Sequence, residues 1–167
     1  MTLLDQTAIE KYRKVSIEFA NPVLIAKLRT LLERKYALVE LLDWIHEKVS
    51  WSDDEMERHS DPLEILAYGK GRCGEFSILF TALCLANGYR ARLILDMTDH
   101  VWTEVWEGAE NRWMHVDPSE KRVGDPLMYE RDWKKSLSNV YAFENGKMED
   151  VTSSYKMEKN STGRLKG

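Results

Sequence analysis

The 167 residues contain two cysteines in different surroundings. Cys73 lies in Gly-Lys-Gly-Arg-Cys-Gly-Glu, at the first turn of the strongest helical segment of the chain. A helix N-terminus carries roughly half a positive charge, which stabilises a thiolate. Gly71 and Gly74 flank the cysteine, permit a tight turn and let a substrate backbone come close. The N–H groups of Cys73 and Gly74 are unpaired at such an end and can hold an oxyanion. Cys73 is thus placed as a nucleophile, the alternative being a small buried residue at a helix start. Cys84 follows three turns later, among Leu83, Leu85 and Ala86. At ~1.5 Å per residue the two α-carbons stand ~16 Å apart, beyond disulfide reach. Cys84 reads as an inert core residue.

A nucleophilic thiol needs a base, and four histidines are available. His46 and His59 fall in a helix and a polar loop, where surface placement is expected. His100 and His115 fall in segments of period two, so parity applies to them. A hairpin turning through Gly108-Ala109-Glu110-Asn111 pairs Glu107 with Arg112, then Trp106 with Trp113, Glu104 with His115 and Trp102 with Asp117. One face then carries His100, Trp102, Glu104, Trp106, Trp113, His115 and Asp117. The other carries Val101, Thr103, Val105, Met114 and Val116. The apolar face can pack, and the polar-aromatic face is expected to form a site. A loop one residue shorter or longer would move Asp117 to the wrong face. In this register Asp117 is diagonal to His100 and can hold its tautomer, while His100 deprotonates Cys73. His115 is the rival base, with Glu104 opposite.

The elements that position these residues are helices first and strands after. Leu4, Ala8, Tyr12, Val15 and Phe19 build one helical face. Asn21-Pro22 starts a second helix through Leu32. Leu38 to Val49 form a third, separate from the second or continuous with it. Ser50–His59 reads as a polar, acidic loop; Asp53, Asp54 and Glu55 are either its solvated face or a cation site. Ser60-Asp61-Pro62 opens a short helix to Ala67. Gly74 to Asn87 is an amphipathic helix with Phe76, Leu79, Phe80, Leu83 and Ala86 inward, closed by Gly88. Strands are expected at 90–97, 100–106, 112–117, 139–143 and 147–155. The result is an α+β fold, with N-terminal helices and the nucleophile helix packed on an antiparallel β-sheet. A single catalytic domain is expected over residues 1–155, with a frayed tail over 156–167.

Composition narrows the function classes. The net charge is −4, with 24 Lys plus Arg against 28 Asp plus Glu, and no basic patch dominates. Nucleic-acid binding, which needs many cationic contacts to phosphate, is not expected. No apolar run reaches membrane-spanning length, and no signal-peptide core opens the chain. A reducing, cytoplasmic setting is expected. Two cysteines exclude a disulfide scaffold and a four-cysteine zinc site. The histidines show no ligand spacing, so neither metal nor cofactor is expected.

The combined motifs resemble a known family. They are Gly-Arg-Cys-Gly-Glu-Phe-Ser (71–77), Arg90-Ala91-Arg92, Thr98-Asp99-His100-Val101-Trp102-Thr103-Glu104-Val105 and Arg112-Trp113-Met114-His115-Val116-Asp117. They are similar to the transglutaminase-like core of papain-type cysteine enzymes, and most of all to the peptide:N-glycanases, cytoplasmic amidases that remove N-linked glycans from misfolded glycoproteins. The similarity continues through Asp125–Glu130, Trp133–Ser138 and Val140–Phe143. It implies Cys73 as nucleophile, His100 as base and Asp117 as the residue that orients the base. It also implies that Arg92, Trp102, Glu104 and Trp113 support the site or line the substrate cleft. The family often adds an upstream side-chain oxyanion donor, for which Trp44 and Trp51 are candidates beside the Gly74 N–H. The glycanases carry paired C-x-x-C zinc motifs where this chain has Ser50–His59.

The expected function is cysteine-dependent amide hydrolysis on a peptide, protein or glycopeptide, through a thioester, with deglycosylation of N-linked glycopeptides as one form. A cysteine peptidase or an amine-accepting acyltransferase would use the same three residues. A non-catalytic binding module is the reading from another class.

Overall fold

The computed structural model describes residues 1–158, and it is organised around the thiol-bearing helix. The elements in chain order are α1 (Leu3–Glu18), α2 (Pro22–Leu31), α3 (Leu38–Lys48), β1 (Ser50–Trp51), α4 (Pro62–Tyr68), β2 (Lys70–Gly71) and α5 (Cys73–Ala86). Then come β3 (Ala91–Asp96), β4 (His100–Glu107), β5 (Arg112–Asp117), β6 (Arg122–Val123), α6 (Met128–Arg131), β7 (Val140–Glu144), β8 (Lys147–Asp150) and a 3₁₀ turn at Thr152–Ser154. The fold is α+β, as the change of period from helical to alternating predicts.

The starts of the helices follow local chemistry. Thr2 caps α1 by accepting the Asp5 N–H, and the Asp5 carboxylate returns to the Thr2 N–H, both at 3.0 Å. Asn21 caps α2 ahead of Pro22, and Asp61 caps α4 ahead of Pro62. The chain breaks between α2 and α3. There the Asn87 side chain receives the Tyr36 N–H at 2.9 Å and donates to its carbonyl at 2.7 Å. The segment between the two helices is thereby stapled to the far end of α5.

α5 departs from the one-sided pattern expected of it. Twelve of its 14 residues are buried, among them Ser77 and Thr81. Helices α2, α3 and α4 contact it on one side, and β3 and β4 on another. Its polar residues are accounted for on the sheet side. Ser77 donates to the Val101 carbonyl at 2.9 Å, and Thr81 pairs with Thr103 at 2.9 Å. A helix enclosed this way needs no polar face, so its apolar residues run nearly all round it.

The main sheet has the order β6-β5-β4-β3-β7-β8, and all its pairings are antiparallel. The β4–β5 register is the one the turn length predicts. Glu107 pairs with Arg112, Trp106 with Trp113 and Glu104 with His115. Two expectations change at the edges of the fold. The start of the 50–59 segment is the strand β1, paired in parallel with β2 just before the thiol helix. The last expected strand ends at Asp150, where the Asp150 side chain takes the Thr152 N–H at 2.9 Å and turns the chain.

Both faces of the sheet are covered. Val101, Val105 and Val116 join the core shared with α5. The opposite face packs Trp102 and Ile94 under Met128, Tyr129, Leu137, Val140, Ala142, Val151 and Tyr155. The polar-aromatic face expected to be an open site is therefore mostly a second core. Residues 156 and 157, expected to be frayed, are tied to the fold: Met157 donates its N–H to Glu130 at 2.7 Å and Lys156 reaches the Leu137 carbonyl. The rest of that expectation, from residue 159 onward, lies outside the described residues.

Candidate active site

Cys73 is the first residue of α5 and is only partly buried. The helix end beneath it is built on Glu75, which is 1% exposed. This carboxylate takes the Arg58 guanidinium in two bonds of 2.8 and 2.9 Å, the Arg72 N–H at 3.0 Å and the His59 N–H at 3.3 Å. Burial pushes its pKa up, but Arg58 and the Arg72 N–H outweigh burial and hold it below the usual range. Glu75 can fold back only because Gly71 lacks a side chain; a Cβ there would lie 2.6 Å from the Glu75 Cβ. Arg72 fastens the preceding loop through the carbonyls of Ser52, Asp53 and Asp54, at 3.2, 3.3 and 3.0 Å.

His100 opens β4, and Asp117 closes β5. The His100 Nε2–H donates to Asp117 Oδ2 at 2.7 Å, leaving Nδ1 for the thiol side. Asp117 is fully buried and its oxygens are filled. Oδ2 also takes the Tyr129 hydroxyl at 2.8 Å, and Oδ1 takes Ser119 Oγ at 3.1 Å and the Glu120 N–H at 3.3 Å. Burial raises the Asp117 pKa, but His100 and Tyr129 more than reverse this and hold it below the usual range. Burial alone would lower His100; Asp117 and the neighbouring Cys73 thiol raise it to about 9. The ring therefore carries a proton at neutral pH and faces both partners.

His115 is physically a different group. Its Nδ1 accepts the Asp125 N–H at 3.2 Å, which fixes the ring proton on Nε2. That proton is donated to the Tyr129 hydroxyl at 2.7 Å, and the hydroxyl donates on to Asp117. Burial lowers the His115 pKa to about 4. The rival base is thus a neutral, doubly bonded support for Asp117, with no ring atom left for a thiol. Tyr129 stacks on Trp102 at 4.2 Å, and Trp133 stands edge-on to His100 at 4.9 Å. Half-exposed Trp133 covers one side of the imidazole.

Several residues implied by the resemblance lie elsewhere. Arg92 and Glu104 are buried and paired with each other at 2.6 Å, with Glu149 on Arg92 at 2.7 Å and the Tyr155 hydroxyl on Glu104. Arg92 covers the Trp113 ring at 4.0 Å. Glu104 is four residues along β4 from His100, roughly 13 Å at the rise of a strand. These residues hold the sheet face together. Trp102 is fully buried against the rings of His100 and Tyr129, so it offers no face to a substrate and backs the site from within. Trp44 lies on the α2–α3 side, beside Tyr36, Glu47, Lys48 and Leu66. Trp51 is half exposed and stacks on Phe76, but its indole N–H is given to Asp53 at 2.7 Å. Gly74 is where the sequence expects it, one residue past the thiol.

The histidines expected on the surface are also engaged. His46 donates to the Pro118 carbonyl at 2.7 Å, next to Asp117, and packs on Phe76. His59 is largely enclosed against Tyr68 and Glu64. Cys84 is buried, and burial pushes its thiol pKa well up, as befits an inert residue. Among the described residues no three His, Cys, Asp or Glu side chains are grouped to hold a metal ion. Nor is any described helix long and apolar enough to cross a membrane. Sequence reasoning missed Tyr12, Arg58, Tyr129 and Trp133. For Arg58 there was one signal: a buried Glu75 in the first turn of an apolar helix requires a cation.

The chain matches the model of the transglutaminase-like superfamily over residues 24–118 and that of the Rad4 transglutaminase-like domain over residues 97–167. A peptide-N(4)-(N-acetyl-beta-glucosaminyl)asparagine amidase of Oryza sativa is 48% identical over 101 residues, 60% of this chain and 23% of that protein. The human protein of the same name is 40% identical over 123 residues, 74% of this chain and 19% of that protein. The matched stretch is thus about a fifth of each relative's length. Among solved structures, Rad4–Rad23 bound to a 6-4 photoproduct UV lesion superimposes with a TM-score of 0.68 at 17% identity, over 92% of this chain and 47% of that one. That likeness is one of fold.

Proposed function

The chain belongs to the transglutaminase-like superfamily, and on that footing we propose that it is a thiol amidase acting through Cys73, His100 and Asp117, with an N-glycosylated peptide as substrate. The observation that carries the reading is the single locked histidine. His100 is bonded to Asp117 through one ring nitrogen and neighbours a partly buried helix-end thiol with the other. Relatives named for glycosylasparagine amidase activity support the choice of substrate.

In the proposed reaction the Cys73 thiolate, paired with the His100 imidazolium, attacks the side-chain amide carbon of the glycosylated asparagine. A C–S bond forms, and the carbonyl oxygen takes the negative charge toward the helix N-terminus. The C–N bond then breaks, and the His100 proton passes to the departing glycosylamine. Water adds to the thioester as His100 takes its proton. The C–S bond breaks, leaving aspartate on the peptide and a free thiol. Asp117 keeps the imidazole in one tautomer and stabilises its charged form. A reducing, cytoplasmic setting suits this chemistry because the thiol must stay reduced.

The test is a denatured glycopeptide incubated with wild type and with Cys73→Ala, with and without a primary amine, the products being weighed by mass spectrometry. The reading expects aspartate and a released glycan from wild type alone. An amide of the added amine would assign acyl transfer instead, and activity surviving in Cys73→Ala would overturn the reading.

A further inference from the structure

Tyr12 belongs to α1, which lies outside the stretch matched by the superfamily model. Its hydroxyl nonetheless comes beside the residue that follows the thiol. Tyr12 is 7% exposed, so its ring is fixed in the core. Its hydroxyl lies 2.9 Å from the place a Cβ would occupy on Gly74, the residue after Cys73. An Arg58 nitrogen lies 3.6 Å from the same point. Gly74 is therefore needed for more than helix geometry: any side chain would strike the phenol. The nearby acceptor, the Glu75 carboxylate, is already filled by Arg58, Arg72 and His59. Cys73, Glu75 and Arg58 all act on the phenol, and so does Asp99, which immediately precedes His100.

Burial and those negative groups keep the phenol protonated far above its ordinary range, so it stays a hydrogen-bond donor at any working pH. An acyl-transfer site of this type needs fixed donors where the carbonyl oxygen gains charge. The helix end supplies the backbone N–H groups, and the Trp51 indole N–H is already given to Asp53. We infer that the Tyr12 hydroxyl is the side-chain donor of the oxyanion hole, working with the Cys73 and Gly74 N–H groups. The inference rests on the proposed amide chemistry, because only an acyl-transfer step creates the oxyanion. It also gives α1 a part in the reaction: a helix preceding the matched core completes the site.

The test separates the thiol from the oxyanion. Alkylation of Cys73 by iodoacetamide needs the thiolate but forms no oxyanion. Acylation by a p-nitrophenyl ester needs both, and releases a burst of p-nitrophenolate. Tyr12→Phe keeps the packed ring and removes only the donor. Acylation is expected to fall on the order of 100-fold, with alkylation unchanged within about twofold. Gly74→Ala displaces the phenol without deleting it, and should lower acylation in the same direction. Equal acylation in wild type and Tyr12→Phe overturns this inference alone. A parallel fall in alkylation also overturns it, since the phenol would then act on the thiol itself. A wild-type thiol that is alkylated but never acylated overturns the proposed function, and this inference with it.

Discussion

The separation of His115 from His100 has a measurable consequence in acid. His115 has an ordinary value of 6.5 and is lowered by burial to about 4 in the folded protein. The unfolded chain therefore binds this proton first as pH falls. Stability is full above pH 6.5 and is lost progressively between 6.5 and 4. With those two values, acidification from pH 6.5 to 4.5 costs roughly 2 kcal/mol through this one ring. His100 has the opposite sign. Its folded value of about 9 adds stability that is complete below 6.5 and is lost as pH rises toward 9. It therefore contributes almost nothing to the change between 6.5 and 4.5. The perturbation is His115→Gln, which cannot titrate and still offers an amide N–H toward the Tyr129 hydroxyl. The assay is urea unfolding of both proteins at the two pH values. Carboxylates titrate equally in both, so the difference between the two losses isolates His115. Wild type should lose about 2 kcal/mol more than the variant. Equal losses would refute the neutral, doubly bonded His115 and the support it gives Asp117.

Asp117→Asn removes the larger of the two partners that lift His100 against its burial. The His100 midpoint followed by NMR should fall below about 9, and turnover should fall at least ~100-fold as the ring loses its fixed tautomer. Gly71→Ala places a Cβ 2.6 Å from that of Glu75, so the helix end must shift. Destabilisation of about 1–3 kcal/mol is expected in urea titration, together with slower alkylation of Cys73.

What the sequence revealed was mostly local. A fixed turn length sets strand parity, so the pairing of Glu104 with His115 and the facing of His100 and Asp117 followed from counting residues. Caps at Asn21 and Asp61 followed from residue types next to proline. The failures came from partners far away in sequence. The resemblance implies Arg92 and Glu104 as site support or cleft lining, and only the fold shows that they neutralise each other and are held by Glu149 and Tyr155. Tyr12 read as one more apolar position on a helical face. Nothing in its neighbours indicates that its hydroxyl ends beside Gly74, 62 residues on. Tyr129 and Trp133 carry no periodicity, and only the fold of the 125–138 segment brings them onto His100.

The central claim is that the Cys73 sulfur carries the acyl group of the substrate. The most direct measurement is a single-turnover reaction with a denatured glycopeptide, quenched in acid and analysed by peptide mapping. The account expects the peptide acyl group on Cys73 as a thioester, with the glycosylamine already released and no adduct in Cys73→Ala. Glycan release that continues in Cys73→Ala, or an acyl group found on Cys84, would contradict it.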